Sequence, residues 1–493
     1  MTLDPRTPVL VGVGAVSQRE EDPSRAREPL ALMIAALERA AGDAGSRALL
    51  ERADSVRATR GFWDYPDPCR LVAQHFGAAH ARTEIAEIGV LQTTSLARAA
   101  ADIAAGHADV VLVTGAEARY RALRATITGV AAPLTRQAAT TPDTVLRPHG
   151  PILSAPEMRA GLFLPVSQYA MIENALRAAE GVSIEKHRDE VASLWASYAA
   201  VAAKNPEAWS REGVDAATIA DPARNPMQAF PYGKLHCSQW NVDQAAGLIF
   251  CSVGTARSLG IPRERWVFPL ATADANQMIP FTERRALHRC AGFAKAAASV
   301  FAHSQRSLEE VAHREIYSCF PVAVRIQLRE FGIDDDRPLT VTGGMAFAGG
   351  PLNHFVFQAV VRMAQVLRDD PGSLGLVTAV SGILTKQGVS LWSSESGAAP
   401  FAHDDVTAAT ERDTPRVEVV ELVAGAAGAA TIASYTVLYE GGAAKRAVLL
   451  CNLDDGRRTL VLCNDAALIA VATSQELCGR ALRIAATGGV ALA

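Results

Sequence analysis

Two stretches of the chain repeat one order of strands and helices, and this repeat limits what the chain can fold into. In the first stretch Pro29 fits a first helical turn, and Leu30, Met33 and Leu37 follow at the spacing of one buried helix face. Its strands and helices are predicted at residues 8–16, 29–41, 54–59, 67–76, 84–91, 94–105 and 109–114. The second stretch has the same order, predicted at residues 267–273, 284–302, 315–320 and 322–331. The pattern indicates an internal duplication of a β-α-β-α-β unit, with helices covering both faces of each sheet.

Length and composition indicate a globular protein of more than one domain. A chain of 493 residues exceeds one ordinary hydrophobic core, so we expect two or three domains. The net charge of −4 is too small to indicate nucleic acid or an anionic membrane as a partner. The eight cysteines lie singly, without the Cys/His spacing of a zinc site. Residues 1–8 lack the basic region and cleavage site of a leader, and no apolar stretch reaches membrane-spanning length, so we predict a cytoplasmic protein with reduced thiols.

Three regions outside the repeat have patterns of their own. Residues 118–235 predict helices without intervening strands, which is typical of an inserted region. Residues 393–416 are polar, with Gly397, Pro400 and Pro415, and are predicted to be a linker. The last region predicts a small antiparallel β-barrel, with short strands at residues 417–423, 430–439, 446–453, 459–463, 467–473 and 481–485. Tyr435 and Tyr439 are its only aromatic residues, so we do not expect this barrel to bind nucleic acid.

A glycine-rich loop lies between a short predicted strand at residues 339–342 and a predicted helix at residues 355–367. Gly343, Gly344, Gly349 and Gly350, followed by Pro351, interrupt an otherwise apolar run. Glycines permit positive φ angles and let a ligand approach the backbone, and sites in α/β proteins lie where strands lead into helices. We therefore predict a loop that contacts a ligand. Two successive turns without a ligand are the alternative.

The duplication, the glycine loop and one further motif together resemble the thiolase superfamily. That motif, Gly-His-Ala-Asp-Val-Val-Leu-Val-Thr-Gly-Ala-Glu at residues 106–117, is specific, whereas glycine pairs alone are common. The turn at residues 243–246 is similar to the Asp-Gly-Ala-Ala turn of the family, with Gln244 in place of the glycine. The resemblance covers the whole chain and is greatest to the sterol-carrier-type branch, in particular to its thiolase-like proteins of type 1, which carry an additional C-terminal β-barrel.

The resemblance implies a fold and a division of the chain. The fold is α/β, with two duplicated halves layered α/β/α/β/α, a helical insertion and a C-terminal all-β antiparallel barrel. The N-terminal half is expected at residues 1–117 and 236–266, the insertion at 118–235, the C-terminal half at 267–392, the linker at 393–416 and the barrel at 417–493.

Thiolases use four groups that can be matched to this chain. Their nucleophilic cysteine, which precedes a helix, corresponds to residues 89–91, where no cysteine occurs, and Cys69 belongs to another predicted helix as a packed thiol. The histidine of their Gly-His-Pro turn corresponds to Gly350. Their second cysteine corresponds to Ser381, whose hydroxyl has too high a pKa to replace it unless a base lies beside it. The fourth group, a histidine that holds an oxyanion water, corresponds to Tyr317 in the sequence Tyr-Ser-Cys-Phe.

The same comparison implies a ligand and candidate residues. The ligand is CoA or an acyl-CoA, with no covalently bound cofactor and no metal. The candidate catalytic residues are Tyr317 and Cys319, which can donate protons to an enolate, and His354 at the start of a helix. A buried tyrosine, a core cysteine and a polar helix cap are the structural alternatives for these three residues. The candidate binding residues are Gly343, Gly344, Gly349, Gly350 and Asn353.

Three functions follow from these matches and remain open. The first is an acyl-CoA-binding protein of the acyltransferase superfamily that lacks the cysteine and histidine and does not perform the thiolase reaction. The second is a non-covalent retro-aldolase, or another acyl-CoA carbon–carbon lyase or acyltransferase, that uses Tyr317 and Cys319. The third is a scaffold whose barrel covers the active site of a partner. Thiolases usually pair through a sheet edge, and because no edge strand is identifiable in this sequence, the oligomeric state stays open between monomer and dimer.

Overall fold

The computed structural model describes residues 3–421, 427–485 and 488–492, and strands and helices alternate through most of them. The strands are β1 (Pro8–Gln18), β2 (Ser55–Thr59), β3 (Arg82–Ala86), β4 (Val110–Ala118), β5 (Thr144–Leu146), β6 (Met227–Ala229), β7 (Tyr232–Gly233), β8 (Asp243–Ser252), β9 (Phe268–Asn276), β10 (Val311–Glu315), β11 (Leu374–Ser381), β12 (Lys386–Ser393), β13 (Ala402–Asp405), β14 (Val419–Val420), β15 (Gly428–Glu440), β16 (Ala443–Leu453), β17 (Arg458–Cys463), β18 (Ala481–Ile484) and β19 (Val490–Leu492).

The helices lie between these strands and in the region before β8. They are α1 (Pro29–Ala44), α2 (Ala48–Glu51), α3 (Pro68–His75), α4 (Gln92–Ala104), α5 (Arg119–Thr128), α6 (Ala155–Arg159), α7 (Pro165–Glu180), α8 (Ile184–Ala202), α9 (Ala216–Ala220), α10 (Val253–Ser258), α11 (Ala291–Ser304), α12 (Pro321–Phe331), α13 (Gly344–Phe347), α14 (Phe355–Asp369), α15 (Thr407–Arg412) and α16 (Ala466–Ser474). No helix of the described residues is long and apolar enough to cross a membrane.

Two central sheets each contain four strands in the same order and direction. The first sheet runs β1-β8-β4-β2-β3-β5 and the second runs β10-β11-β12-β9-β13. In the first sheet β4 is parallel to β2, and β8 is antiparallel to both β4 and β1. In the second sheet β11 is parallel to β10, and β12 is antiparallel to both β11 and β9. The four strands β2-β4-β8-β1 thus match β10-β11-β12-β9 in order and direction, which is the topology expected of a duplicated unit.

Helices α4 and α14 lie between the two sheets and contact both of them, whereas α1 and α11 cover the outer faces. The predicted α/β class is therefore confirmed. Helix α1 approaches its sheet closely because Gly12 and Gly14 of β1 have no side chain. A Cβ atom on either glycine would lie 2.3 Å from a carbonyl oxygen of α1, that of Ala40 or Ala36.

The C-terminal region forms a third, strongly curled sheet. Its strand order is β14-β17-β16-β15-β18-β19, and the short hairpin of β6 and β7 joins it through β15. The strands pair antiparallel except β14, which is parallel to β17. A closed barrel stays a prediction, because the described strands form an open series. The predicted strand at residues 417–423 is represented by Val419–Val420, and residues 422 and 423 lie outside the described residues.

Several predicted elements differ from the observed ones. Residues 467–473 were expected as a strand but form α16, because the carboxylate of Asp465 accepts the N–H of Leu468 (3.0 Å) and caps a helix. Residues 339–342 form no strand, because the buried carboxylate of Glu315 accepts the N–H groups of Val341 (2.8 Å) and Thr342 (2.9 Å), which would otherwise need a neighbouring strand.

The regions outside the repeat also contain strands that were not predicted. The region 118–235 contains β5, which extends the first sheet, and the hairpin β6–β7, which pairs with the third sheet. The segment 393–416, predicted as a linker, contributes β13 to the edge of the second sheet and then forms α15 against α11. Helix α11 begins at Ala291, seven residues after the predicted start at 284.

Candidate active site

The loop from β3 into α4 holds the position that the resemblance matches to the thiolase nucleophile. Gly89 has a φ of 103°, and a Cβ atom there would lie 3.2 Å from Pro148 and 3.4 Å from Ile152. Residues 148–152 therefore cover this loop. The nearest preceding thiol is Cys69, which is buried and donates to the carbonyl oxygen of Glu84 (3.3 Å). Burial raises the pKa of Cys69 well above its usual range, which fits the predicted packed thiol.

Tyr317 and Cys319 follow β10 and lie side by side in a buried position. The N–H of Tyr317 donates to the hydroxyl of Thr378 (2.8 Å), and its ring meets Phe355 edge to face at 5.8 Å. Burial raises the pKa of Tyr317 well above its usual range, and burial likewise raises the pKa of Cys319 to about 12. Burial thus favours the protonated form of both groups at neutral pH.

Tyr169 of α7 completes this cluster, although the motifs did not indicate it. Its hydroxyl lies beside the thiol of Cys319 and donates to the carbonyl oxygen of Gly382 (3.2 Å) in the turn between β11 and β12. Its ring stacks on Phe320 with centroids 4.6 Å apart. Tyr169 thus holds the turn that begins after Ser381 against the segment that follows β10. Ser381 is the residue that the resemblance matches to the second thiolase cysteine.

His354 and Asn353 lie on the other side of this region, against the first sheet. A Cβ atom on Gly115 of β4 would lie 2.5 Å from the Cβ of His354 and 2.8 Å from the hydroxyl of Thr59. Burial lowers the pKa of His354 to about 3, so its imidazole is neutral at neutral pH. The amide of Asn353 donates to the carbonyl oxygen of Arg60 (3.1 Å). Tyr317 and Cys319 are therefore brought together, while His354 and Asn353 face the protein interior.

The first two glycines of the loop, Gly343 and Gly344, pack closely against helix α8. A Cβ atom on Gly343 or Gly344 would lie 2.4 Å from Ala202 or Tyr198 of α8, and both glycines have positive φ angles. The space in front of these two glycines is therefore filled by protein. Gly349 and Gly350 lie against other partners, because a Cβ atom there would lie 2.1 Å from the side chain of Gln244 or 3.0 Å from that of Ser238.

A cavity of about 320 Å³ opens beside this loop. Its wall at residues 237–241 is bonded to the loop through Gln239, which accepts from the N–H of Gly350 (2.8 Å) and donates to the carbonyl oxygen of Met345 (2.9 Å). Ser238 in the same wall donates to the carbonyl oxygen of Cys319 (2.8 Å). The basic and aromatic residues that line the cavity are Arg19, Tyr120, Trp209, Lys234 and Trp240.

Cations and aromatic rings lie against each other around the mouth of this cavity. The guanidinium of Arg19 lies 5.4 Å from the ring centre of Trp209, and that of Arg119 lies 4.8 Å from the ring centre of Trp240. Trp240 and its neighbour Phe62 are about half exposed. Local sequence did not indicate these residues, because they come from five separate segments of the chain.

Solved structures resemble this chain over its full length or most of it. The crystal structure of a monomeric SCP2-thiolase-like protein type 1 (STLP1) from Mycobacterium smegmatis matches with a TM-score of 0.84 and 29% identity, and the match covers 100% of both chains. The Ltp2-ChsH2(DUF35) aldolase matches with a TM-score of 0.59 and 20% identity over 79% of this chain and 99% of the other.

The acetyl-CoA acetyltransferase from Syntrophomonas wolfei matches with a TM-score of 0.58 and 17% identity, again over 79% of this chain and 99% of the other. At 20% and 17% identity, these two matches show a similar fold and nothing more. No protein-family model and no curated protein matches the chain.

Proposed function

Because this chain belongs to the thiolase superfamily, we propose that it binds an acyl-CoA or a related thioester without the acyl-cysteine chemistry of thiolases. One observation of the sequence and one match implied by the resemblance support the second half of this proposal. Residues 87–94 contain no cysteine, and Gly350 is the residue that the resemblance matches to the histidine of the family. Two thiols lie near the loop, Cys237 in the cavity wall and Cys319 behind it, and burial raises the pKa of each to about 12. A thiolate that accepts an acyl group is thus absent from these positions.

The composition of the cavity beside the glycine loop carries the binding half of the proposal. CoA combines phosphate groups with an adenine ring and a long, neutral pantetheine arm. Arg19 and Lys234 supply cations for phosphates, and Trp209 and Trp240 supply faces on which a base can stack. The volume of about 320 Å³ is at the lower end of what small-molecule sites need, and the open mouth leaves room for the nucleotide outside.

The hydrogen bonds between the cavity wall and the loop indicate where the thioester group of a bound acyl-CoA would lie. Gln239 and Ser238 connect the wall to Gly350 and to Cys319. A pantetheine arm that follows this wall would therefore deliver its thioester toward Cys319 and Tyr317. We propose that the backbone of Gly349 and Gly350 lines the path of the pantetheine arm. Gly343, Gly344 and Asn353 would hold this part of the loop in position through their packing against the rest of the protein.

Calorimetric titration with CoA, acetyl-CoA and octanoyl-CoA tests the proposal. Lys234→Ala is expected to weaken binding of CoA about tenfold, or ~1.4 kcal/mol, because it removes a cation from the phosphates. The matched control is Lys186→Ala, which removes the same charge from the exposed start of α8 and should leave affinity unchanged. Absence of heat and of any thermal shift with all three ligands would contradict the proposal.

A second candidate function is a non-covalent carbon–carbon lyase acting on the same class of ligand. The cluster of Tyr169, Tyr317 and Cys319 favours it, because burial keeps all three groups protonated and available as donors to an enolate oxygen. In such a reaction the substrate hydroxyl passes its proton to a water molecule, the carbon–carbon bond breaks to release a carbonyl product, and the electron pair forms the enolate of the thioester, which then takes a proton from one of these donors. A lyase activity that survives both Tyr317→Phe and Cys319→Ala would rule this candidate out.

A further inference from the structure

Lys386 is the one buried lysine among the described residues. The chain has six lysines, at positions 186, 204, 234, 295, 386 and 445, and the other five are exposed or half-buried. Lys386 is 1% exposed, and its Nζ atom donates to no acceptor among the residues that the structure describes. An unpaired ammonium in such a place is costly, whereas a lysine, unlike an arginine, can lose its proton there.

The position of Lys386 in the second sheet directs it toward the matched catalytic region. It is the first residue of β12 and pairs directly with Ser381 of β11 and with Asn276 of β9. Two residues along the strand, a Cβ atom on Gly388 would lie 2.3 Å from the hydroxyl of Thr93 in α4. Residues two apart in a strand share a face, so Lys386 points into the layer between the sheets, near the start of α4.

The surroundings of Lys386 favour its neutral amine. Burial lowers the pKa of Lys386 from 10.5 to about 8. Two charged groups lie on the segments around it. Asp274 of β9 has a carboxylate that accepts from the hydroxyls of Thr93 (2.5 Å) and Thr94 (2.6 Å), and Arg284 has a guanidinium that donates to the carbonyl oxygen of Ile383 (2.6 Å) in the turn before Lys386. Strand β11 and the first turn of α4 carry no charged side chain. An amine of this kind is a competent proton acceptor near neutral pH.

Ser381 lies directly opposite this amine and is half-buried, so it is within reach of a ligand. Cβ atoms of directly paired residues in antiparallel strands are about 4.5–5.5 Å apart, which the flexible stem of a lysine spans easily. Ser381 also stands where the resemblance places the proton-moving cysteine of thiolases. The base that a serine needs at this position is therefore present across the hairpin.

We propose that Ser381 and Lys386 form a serine–lysine pair that hydrolyses a thioester bound at this site. The inference rests on the proposed thioester binding and assigns a reaction to it. Lys386 accepts the hydroxyl proton of Ser381 while the serine oxygen bonds to the thioester carbonyl carbon. The carbon–sulfur bond then breaks, and the thiol of CoA leaves with the proton that Lys386 held.

Water completes the reaction by the same route. Lys386 accepts a proton from water as the water oxygen bonds to the carbonyl carbon of the acyl-serine. The bond to the serine oxygen breaks, and Ser381 takes the proton back from Lys386. One thioester and one water thus give one carboxylic acid and one free thiol, without an oxidant or a metal in the balance.

The first test measures the pair without any CoA ligand. In the Ser381→Cys variant an ammonium or amine opposite the introduced thiol favours its thiolate. Iodoacetamide at pH 7 should alkylate this thiol at least tenfold faster than in the double variant that also carries Lys386→Met. Mass spectrometry separates this site from the eight native thiols. Equal alkylation rates in the two variants would overturn the proposal.

The second test measures hydrolysis by the full chain. Release of free CoA from acetyl-CoA and octanoyl-CoA is followed by chromatography, and its rate should rise with pH to a plateau above about 8. Ser381→Ala and Lys386→Met should each lose at least 100-fold in rate, with thermal melts showing that both remain folded, while Lys186→Ala keeps the full rate. Calorimetric binding without hydrolysis overturns the reaction. Fast alkylation without any acyl-CoA binding supports the pair and overturns the proposed ligand.

Discussion

The hydroxyl of Tyr169 donates a hydrogen bond of 3.2 Å to the carbonyl oxygen of Gly382 and thereby joins helix α7 to the turn between β11 and β12. The Tyr169 ring also stacks on Phe320, which follows Cys319. One side chain from the inserted region thus holds together two segments of the second half, both of which carry candidate site residues. The geometry of the site therefore depends on a helix that lies outside the duplicated units.

Replacing Tyr169 tests how much this contact stabilises the protein. Tyr169→Phe removes one buried hydrogen bond but keeps the stacked ring, so we expect a loss of about 1 kcal/mol in the free energy of unfolding. Tyr169→Ala also removes the ring and should cost about 3 to 5 kcal/mol. Urea unfolding followed by fluorescence gives both values. Tyr439→Phe, at a half-buried tyrosine of β15, is the control and should change stability by less than about 0.5 kcal/mol.

A buried carboxylate, Glu173 of α7, makes stability depend on acid pH. Burial by itself would raise the pKa of Glu173, but the charge of Arg325 and the hydrogen bonds from His187 (2.9 Å) and Tyr232 (2.5 Å) outweigh it and lower the pKa to about 2. The contribution of Glu173 to stability is therefore complete above pH 4.5 and is lost as the pH falls toward 2. Glu173→Ala should cost about 3 to 5 kcal/mol at pH 7, because it removes the buried carboxylate that pairs with the guanidinium of Arg325.

The control for this prediction is Glu173→Gln, which keeps the shape but cannot titrate. Its unfolding free energy should be lower than that of the unmodified chain at pH 7, and its slope against pH between 4.5 and 2 should be smaller. Calorimetric melts at four or five pH values measure both quantities. An unchanged slope in Glu173→Gln would show that other carboxylates cause the loss of stability between pH 4.5 and 2.

Segments 339–342 and 467–473 mark the limit of what local pattern predicts about this fold. The spacing from Pro29 predicts α1 well, because one apolar stripe packs on one sheet. Residues 467–473 have no polar stripe, so their apolar run fits a strand and a helix equally, and Asp465 at the N-cap is the signal that decides. Residues 339–342 have strand composition, but the carboxylate of Glu315, 26 residues before Val341 and 27 before Thr342, accepts the backbone N–H groups of these two residues.

The candidate site shows the same division between local and distant information. Motifs locate the segments of Tyr317, Cys319 and Ser381, because these segments follow recognisable strands. They do not locate Lys386, whose importance comes from its register opposite Ser381 and from burial that only the folded sheet creates. The side that His354 faces depends likewise on Gly115, more than two hundred residues earlier.

His354 should make the protein less stable in mild acid. Burial lowers its pKa from 6.5 to about 3, so the unfolded chain binds a proton more readily than the folded chain between these values. Stability should therefore fall as the pH drops from 6.5 to 3. His354→Asn, which keeps a donor at a similar place, should lack this part of the slope. Matching slopes for the two proteins in chemical unfolding would contradict the assigned burial.

Lys386 should carry a stability cost that its replacement removes. Its folded pKa of about 8 lies below 10.5, so the cost is fully present below pH 8 and disappears as the pH rises to 10.5. Lys386→Met should raise the free energy of unfolding at pH 7 by roughly 2 kcal/mol and flatten its rise with pH in that window. A thermal melting series compares the two proteins, with Lys295→Met, at a half-buried lysine of α11, as the control.

Strand β5 covers the β3 end of the first sheet, and from this we predict that the chain is monomeric in solution. Strand β5 covers β3 along Glu84, Ile85 and Ala86, and the carboxylate of Asp143 accepts the N–H of Thr83 (2.8 Å) just before it. The edge of β3 is therefore already occupied by the same chain and is not free to pair with a second copy. Light scattering at micromolar concentration should give the mass of one chain, 52.1 kDa.

Uncovering that edge should change the association state. Replacing residues 143–147 by an equally long Gly/Ser segment removes the cover, and the open backbone of β3 should then pair with another copy, giving dimers or larger species whose share rises with concentration. The same Gly/Ser segment placed at residues 138–142, an exposed stretch without helix or strand, is the matched control and should stay monomeric. A dimeric unmodified chain, or a monomeric 143–147 variant that remains folded, would show that β5 is not what keeps the copies apart.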